Sequence, residues 1–189
     1  MKVAVLMGGI SGEREVSLAS GAQVARALRE WGHEELAVDT GRGILTPAQE
    51  QSILESGIKD PHPPDEATDL LSTGDLGAIT RDSRFAGTEV VFPALHGGRG
   101  EDGTIQALLQ LAGLPFVGSE PVGCALAMDK DLSKRLLRDA GIPTPPWITV
   151  VGREEGESRL DEIVETLGLP LIVKPPSWGS TIGLTLAHG

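Results

Sequence analysis

Two glycine-rich segments each follow a short apolar run and carry side chains suited to binding a small charged molecule. Gly8 and Gly9 come directly after the apolar run 3–7 and precede Glu13, whereas His96 comes directly after the run 90–95. Such runs predict strands buried on both faces of a parallel sheet. In sheets of this kind, ligands bind where the carboxyl ends of the strands meet the following helices. Glu13 and His96 are therefore candidate site residues.

The chemistry open to these two residues is recognition of an ammonium group and of a carboxylate. Glycines allow close backbone approach, free amides at a helix start favour anionic groups, and Glu13 beside them is suited to hold an ammonium. His96 is suited to donate a hydrogen bond to a carboxylate. The plainer alternatives stay open: Glu13 and Glu15 only compensate the helix dipole, worth about 0.3 to 1 kcal/mol, and a lone histidine is structural.

Two lysines suggest a second, anion-binding function. Lys174 ends an apolar strand predicted to be buried on both faces, where a charge is costly without an anionic partner. The Gly, Ser and Thr loop that follows, which includes Ser180, offers hydroxyls and exposed amides of the kind that bind phosphate when no P-loop motif exists. Lys130 opens a predicted helix, and without this context it would be a surface lysine. Solvent capping at a strand end is the alternative for Lys174.

A different chemistry is suggested by Gly98, Gly100 and Gly103, which fit the G-x-G-x-x-G spacing of dinucleotide sites. This spacing makes an NAD-binding oxidoreductase domain one alternative. The match is weak, because these glycines follow a late strand rather than the first one. The expected ribose-binding acid about 20 residues later is represented only by Glu120.

The alternation of apolar runs with helical patterns predicts an α/β fold with a doubly wound, mainly parallel sheet. A long excursion between Thr40 and Gly87, centred on the proline-rich residues 61–65, interrupts the pattern. The prolines at 141–146 end a helix, and a second, smaller α+β region follows. Its last strand begins at Leu184 without an evident partner, so we expect this second domain to be incomplete. The predicted strands are 3–7, 36–38, 90–95, 115–117, 147–151 and 171–174, and the predicted helices are 13–31, 47–54, 104–111, 129–140 and 160–167.

Composition narrows the class of protein. Sixteen Lys and Arg against 27 Asp and Glu give a net charge of −11, which disfavours binding to nucleic acid. The single cysteine cannot form an internal disulfide, and no apolar run is long enough for a signal peptide or a membrane span. We therefore expect a cytoplasmic protein that contacts no membrane.

Taken in order, these segments resemble the D-alanine–D-alanine ligase family of the ATP-grasp superfamily. Each motif is weak alone, but four in the same order are specific. The resemblance spans nearly the whole chain and rests on Gly8-Gly9 with Glu13-Arg14-Glu15-Val16-Ser17, Leu95-His96-Gly97 with Gly100-Glu101-Asp102-Gly103, Met128-Asp129-Lys130, and Val173-Lys174-Pro175 with Gly179-Ser180.

The resemblance implies a role for each candidate residue. Glu13 would bind the ammonium of the first D-alanine, and His96 would lie near that substrate's carboxylate. Lys130 and Lys174 would contact ATP phosphates, and Ser180 would act with Glu13 in ordering the substrate site.

The resemblance also implies an architecture. Residues 1–120 would form an N-terminal substrate-binding domain of the pre-ATP-grasp type. Residues 121–189 would form a linker helix and the beginning of an ATP-binding ATP-grasp subdomain. Mg²⁺ would be required with ATP, but its ligands would lie outside this chain, so we expect no ligase activity from the chain alone.

The implied reaction joins two D-alanine molecules through an acyl phosphate, for peptidoglycan synthesis in the cell wall. We also expect a homodimer. Besides the NAD-binding alternative, a non-catalytic binding or dimerisation module stays open at this point.

Overall fold

Among the described residues, the main sheet has four strands, which lie side by side in the order β3 (Gly43–Ile44), β2 (Glu34–Asp39), β1 (Lys2–Met7) and β4 (Val90–Pro93). The computed structural model describes residues 1–56 and 82–188. β1 pairs in parallel with both β2 and β4, whereas the short β3 pairs antiparallel with β2 at the edge. The predicted strand at 115–117 is reduced to one parallel bridge between Phe116 and Val91.

Helices accompany this sheet in the alternating order that the sequence predicted. The longest of the described helices, α1, has 17 residues, and none of them is both long and apolar enough to cross a bilayer. The helices of this part of the chain are α1 (Arg14–Glu30), α2 (Pro47–Ser56), α3 (Thr104–Leu111) and α4 (Pro121–Met128), with 3-10 turns at Ser83–Phe85 and Gly98–Gly100. The centre of the predicted excursion, residues 61–65, lies outside the described residues.

The core lies on both faces of β1. Ala4 and Leu6 belong to one buried cluster, with Ile105 and Leu109 of α3, whereas the alternate β1 residues belong to a second cluster with Leu18 of α1. Successive side chains of a strand point to opposite faces, so β1 is covered on both sides. The prediction of a doubly wound, mainly parallel α/β sheet is confirmed.

The position of β1 determines where a site can form. The chain passes from β1 to β2 on one side and later returns to β4 on the other, so the strand order reverses at β1. Leu6 is in register with Pro93, which brings the carboxyl ends of β1 and β4 side by side. This reversal is the topological switch point at which open α/β sheets bind ligands.

The chain divides into two compact units, Met1–Ala125 and Leu126–Gly189. The functional division expected between residues 120 and 121 stays a prediction. The second unit contains α5 (Lys130–Asp139), α6 (Gly152–Ser158), α7 (Leu160–Leu167), β5 (Leu171–Val173) and β6 (Thr185–Ala187).

Three expectations for the second unit are wrong. The strand near Leu184 is not unpartnered, because β6 pairs antiparallel with β5. β5 is not buried on both faces within the described chain, since Ile172 is 58% and Val173 54% exposed. Residues 147–151 form no strand.

Side-chain contacts explain the missing strand at 147–151. The Asp131 carboxylate on α5 accepts hydrogen bonds from Trp147 Nε1 and Thr149 Oγ1, both at 2.8 Å. It also accepts one from Arg135 Nε at 2.7 Å. The segment is therefore held against α5 by side chains instead of by main-chain pairing.

The Asp131 contacts predict a pH-dependent contribution to stability. The hydrogen bonds from Arg135, Trp147 and Thr149 lower the pKa of Asp131 from 3.8 to about 2. The ionised carboxylate therefore stabilises the folded state above pH about 4, and this contribution is lost as the pH falls through about 2. Asp131→Asn should lower the thermal midpoint at pH 7, with the gap to the wild type closing between pH about 4 and about 2. Thermal unfolding followed by tryptophan fluorescence measures this difference between the two midpoints.

The control is Asp139→Asn, at the end of the same helix, whose side chain is 75% exposed. It should lower the midpoint little at any pH, because exposed ion pairs contribute little. A constant gap between Asp131→Asn and the wild type across the acidic range would contradict the role assigned to the Asp131 charge.

Candidate functional site

A cleft of about 240 Å³ lies between the loop after β1 and the loop after β4. It brings together the two glycine-rich segments that the sequence singled out separately. The lining residues are Gly8, Gly9, Ile10, Ser11, Leu95, His96, Gly97, Gly98, Arg99 and Gly100.

Serine side chains join the two loops. Ser17 Oγ accepts a hydrogen bond from the Gly8 amide at 2.9 Å and donates to the Ala94 carbonyl at 2.7 Å. Ser11 Oγ donates to the His96 carbonyl at 2.6 Å. The ends of β1 and β4 are therefore fixed relative to each other by side chains at and near the start of α1.

The backbone amides of this loop donate hydrogen bonds within the protein. Gly8 donates to Ser17, and Gly9 donates to Asp39 Oδ1 at 3.3 Å. Glu13 N donates to Ser11 Oγ at 3.2 Å, and Arg14 N donates to the Ser11 carbonyl at 3.1 Å. The expectation that free amides at the helix start favour an anionic group is therefore wrong for these four amides.

The Glu13 carboxylate lies at the second loop. A Cβ atom added to Gly97 would be 2.7 Å from Glu13 Oε2, so these two residues are in direct proximity. Glu13 is the N-cap residue of α1, yet its side chain makes no capping hydrogen bond. Within residues 1–56 and 82–188 its half-buried carboxylate has no hydrogen-bond or ion-pair partner. An unpaired carboxylate beside a cleft is suited to bind a cation.

His96 is held between α1 and the turn that follows β4. Its Nε2 is 3.0 Å from Ser20 Oγ, and its Nδ1 is 4.0 Å from Glu101 Oε1. Glu101 also accepts a hydrogen bond from the Gly97 amide at 2.8 Å. The imidazole stays 36% exposed, so it is both oriented and accessible.

Beneath the first loop lies a buried ion pair. Arg14 donates to Asp39 through NH1 at 2.9 Å and NH2 at 2.5 Å, and each side chain is 2% exposed. Burial alone would lower the pKa of Arg14, but the hydrogen bond and charge of Asp39, with a smaller contribution from Glu15, raise it overall. Arg14 is therefore charged in the folded protein.

In the second unit, Lys130 is bound to the loop between β5 and β6. Its backbone amide donates to the Pro176 carbonyl at 3.0 Å, and its ammonium donates to the carbonyls of Pro176, at 3.2 Å, and Trp178. Ser180, in the same loop, is exposed and has a left-handed backbone with φ of 51°. Lys130 and this loop therefore form one connected group.

Lys174 adds positive charge to the same unit. It is exposed at the end of β5, so the burial argument that singled it out does not hold here. Burial, together with the nearby charge of Lys174, lowers the pKa of Lys134. Two lysines are thus close enough to repel each other, an arrangement that an anion would relieve.

The glycines of the dinucleotide-like spacing contact the protein itself. A Cβ on Gly100 would be 2.5 Å from Leu95 Cβ, and one on Gly103 would be 2.4 Å from the Pro121 carbonyl oxygen. These contacts explain both glycines without a bound pyrophosphate. The NAD-binding alternative is therefore not favoured.

Comparison with known proteins matches nearly the whole chain. The family model described as the D-ala D-ala ligase N-terminus matches residues 2–119, and the model of the C-terminus matches residues 136–189. The chain belongs to the D-alanine–D-alanine ligase family.

Individual ligases of the family are similar to the whole of this chain over about half of their own length. The D-alanine–D-alanine ligase of Verminephrobacter eiseniae is 43% identical over 188 residues, covering 99% of this chain and 45% of that protein. That of Moorella thermoacetica is 39% identical over 186 residues, which are 97% of this chain and 49% of that protein. The solved structure of the D-alanine–D-alanine ligase of Coxiella burnetii superposes with a TM-score of 0.76 at 29% identity. The superposition covers 100% of this chain and 57% of that one. The chain spans about half the length of the curated relatives it matches.

Sequence reasoning about this member of the ligase family missed several polar residues of the site. Ser17 and Ser20 are three residues apart in a helix, a spacing that places both on one face and could have been noticed. Asp39 is a charge at the end of an apolar strand, the same signal that drew attention to Lys174. The proximity of Arg14 to Asp39 follows only from the fold.

The contact between Gly97 and Glu13 predicts a selective effect of substitution. Gly97 and Gly98 both have positive φ, 71° and 48°, but only a Cβ at Gly97 meets another atom. Gly98→Ala should destabilise the fold by about 1 to 2 kcal/mol. Gly97→Ala should destabilise it more, because its φ of 71° and ψ of 162° lie in a region essentially restricted to glycine and its Cβ would meet Glu13. Only Gly97→Ala should displace the Glu13 carboxylate, seen as a change in its side-chain ¹³C carboxyl resonance. Equal changes in both variants would contradict the placement of Glu13.

Proposed function

We propose that the protein takes part in the ATP-dependent ligation of two D-alanine molecules, and that the first unit of this chain binds the first D-alanine. The observation that carries the proposal is the Glu13 carboxylate, which has no partner among residues 1–56 and 82–188 and lies against Gly97 at the switch point of the sheet. The names of the family's matched relatives, each a D-alanine–D-alanine ligase, supply the substrate.

The two charges of an amino acid fit the two candidate side chains. Glu13 binds the ammonium through its free carboxylate, and His96 donates to the carboxylate. Gly97, which follows His96 and adjoins Glu13, lets the two groups lie near one another without a side chain between them. Because His96 is fixed by Ser20, its imidazole is oriented before the ligand arrives.

In the second unit, Lys130 and Lys174 contact the phosphates of ATP. Support comes from the repulsion between Lys134 and Lys174 and from the attachment of Lys130 to the loop that contains Ser180. In a chain of net charge −11, such a local concentration of positive charge is what phosphate binding requires. The role of Ser180 in ordering the substrate site, which the family resemblance implies, stays a prediction.

The proposed reaction has two steps. The terminal phosphoryl group of ATP is transferred to a carboxylate oxygen of the first D-alanine, giving ADP and an acyl phosphate. The amine of the second D-alanine then attacks the acyl carbon, phosphate leaves with the bonding electron pair, and the amine loses a proton. Lysines near the transferring group stabilise the charge that develops on it.

Magnesium is expected with ATP, but the described residues do not fit a site for it. Within residues 1–56 and 82–188, no group of three or more His, Cys, Asp or Glu side chains could hold a metal ion. We assign no step of the reaction to a metal held by this chain. Assembly as a homodimer, a cytoplasmic location and a role in peptidoglycan synthesis stay predictions.

Glu13→Gln tests the ammonium site. The substitution keeps the shape of the side chain but removes its charge, so D-alanine affinity should fall by about tenfold to a hundredfold, the range for losing one hydrogen bond to a charged group. Glu15→Gln is the matched control in the same helical turn and should leave affinity unchanged. Isothermal titration calorimetry with D-alanine measures both. Equal, small effects of the two variants would favour the helix-dipole alternative for Glu13.

Lys174→Gln tests the phosphate contact. Loss of one charge that binds phosphate should weaken ATP binding by about tenfold and make it less sensitive to salt. Arg153→Gln removes a charge from an exposed position in the same unit and serves as the control. Fluorescence titration of the chain with ATP reports affinity, and equal affinities of the two variants would contradict the assignment.

We further propose that the 189-residue chain alone does not form the dipeptide. The family resemblance places the metal ligands, and the arginine that stabilises the oxyanion, outside these residues. Incubation of the purified chain with D-alanine, ATP and Mg²⁺ should therefore release no D-alanyl-D-alanine, as followed by mass spectrometry. Dipeptide formed in proportion to protein concentration would refute this proposal.

A further inference from the structure

Arg14 and Asp39 form an ion pair that the proposed chemistry does not use. Both side chains are 2% exposed, so neither can contact a molecule in the cleft. Arg14 is the first residue of α1, and Asp39 is the last residue of β2. The pair therefore connects a helix and a strand directly beneath the loop that follows β1.

Stability alone does not account for this pair. Removing two charges from water costs about as much as their attraction returns, so buried pairs are weak evidence for stability. A positive charge in the first turn of a helix is also unfavourable, because the helix dipole is positive at that end. What distinguishes the pair is the backbone that it binds.

That backbone is the loop that lines the cleft. Arg14 NH1 donates to the Gly9 carbonyl at 2.7 Å, while Asp39 Oδ1 accepts from the Gly9 amide at 3.3 Å and the Gly41 amide at 2.9 Å. Both polar groups of the Gly9 backbone are thus held by one ion pair. A Cβ on Gly8 would be only 2.3 Å from Asp39 Oδ1, so the carboxylate lies immediately against the turn.

We propose that Arg14 and Asp39 are positioning residues, which fix the Gly8-Gly9 turn and the start of α1 and thereby hold the Glu13 carboxylate against Gly97, a residue that lines the cleft. Arg14 directly follows Glu13 in the chain, so holding its guanidinium fixes the backbone from which Glu13 projects. The proposal rests on the proposed function, since the ligand that benefits is the first D-alanine. It extends the site to two residues buried beneath the lining of the cleft.

Arg14→Lys tests the proposal because lysine keeps the charge but lacks the planar fork that binds two partners at once. The variant should stay folded, while D-alanine affinity falls about tenfold or more in calorimetry of the whole chain. Arg26→Lys, the same change at an exposed position of α1, is the control and should bind as the wild type does. Unchanged affinity in folded Arg14→Lys would overturn the proposal.

A second readout needs no ligand. In Arg14→Lys the Gly9 amide should exchange its hydrogen faster by a larger factor than the core amide of Val5 does. If the wild type fails to bind D-alanine, the proposed function fails, and the Gly9 exchange rate still decides whether the pair holds the turn. Equal acceleration at Gly9 and Val5 would show a purely structural role.

Asp39→Asn provides a second variant, since it keeps an acceptor for the Gly9 and Gly41 amides while removing the charge that holds Arg14. It should also weaken D-alanine binding and loosen the Gly9 amide. If both variants fail to fold, the pair holds the whole domain together instead of the turn, and the positioning role is rejected.

Discussion

Parallel pairing of β1 with both β2 and β4 is the constraint on which the rest of the structure depends. β1 has a strand on either side and core residues on both of its faces. Its position is therefore fixed, and the loop that follows it leaves the sheet beside the loop that follows β4. Two chain segments that are more than 80 residues apart, the loops at Gly9 and His96, therefore meet in one cleft. Serines at and near the start of α1 keep them there, because Ser11 and Ser17 bind groups of the second loop and of its strand.

The distribution of charge follows from this arrangement. Among the described residues of the first unit, the Glu13 carboxylate has no partner and lies against Gly97, while the buried Arg14 is engaged by Asp39 and Gly9. In the second unit Lys130 is bound to the loop between β5 and β6, and burial together with the nearby charge of Lys174 lowers the pKa of Lys134. A chain with a net charge of −11 thus has a carboxylate beside the cleft of its first unit and neighbouring lysines in its second.

Much of the first unit could be predicted from sequence because its strands are short, apolar and buried on both faces. The α1 and α3 patterns and the β1 and β2 runs predicted elements close to those observed. The second unit was less predictable, since its contacts depend on side chains distant in sequence. The apolar run at 147–151 gives the signal of a strand, but Asp131 binds Trp147 and Thr149 and holds the segment against a helix.

The candidate site shows the same division. Glu13, His96 and Lys174 could be selected because they are polar residues at or just beyond the ends of apolar runs, whereas Lys130 needed the context of the other motifs. Their supporting residues could not, because the partner of Arg14 is 25 residues away and the partner of Ser20 is 76 residues away. The order of the motifs gave the resemblance to the ligase family, whereas only the fold brings Glu13 against Gly97.

The most direct test of this account is an amide NMR titration of the ¹⁵N-labelled chain with D-alanine. If the two loops form one amino-acid site, the resonances of residues 8–13 and 96–98 should shift together along one binding curve, and L-alanine should shift them less. Shifts confined to one loop, or equal responses to both enantiomers, would contradict the claim that the ends of β1 and β4 build a single D-alanine site.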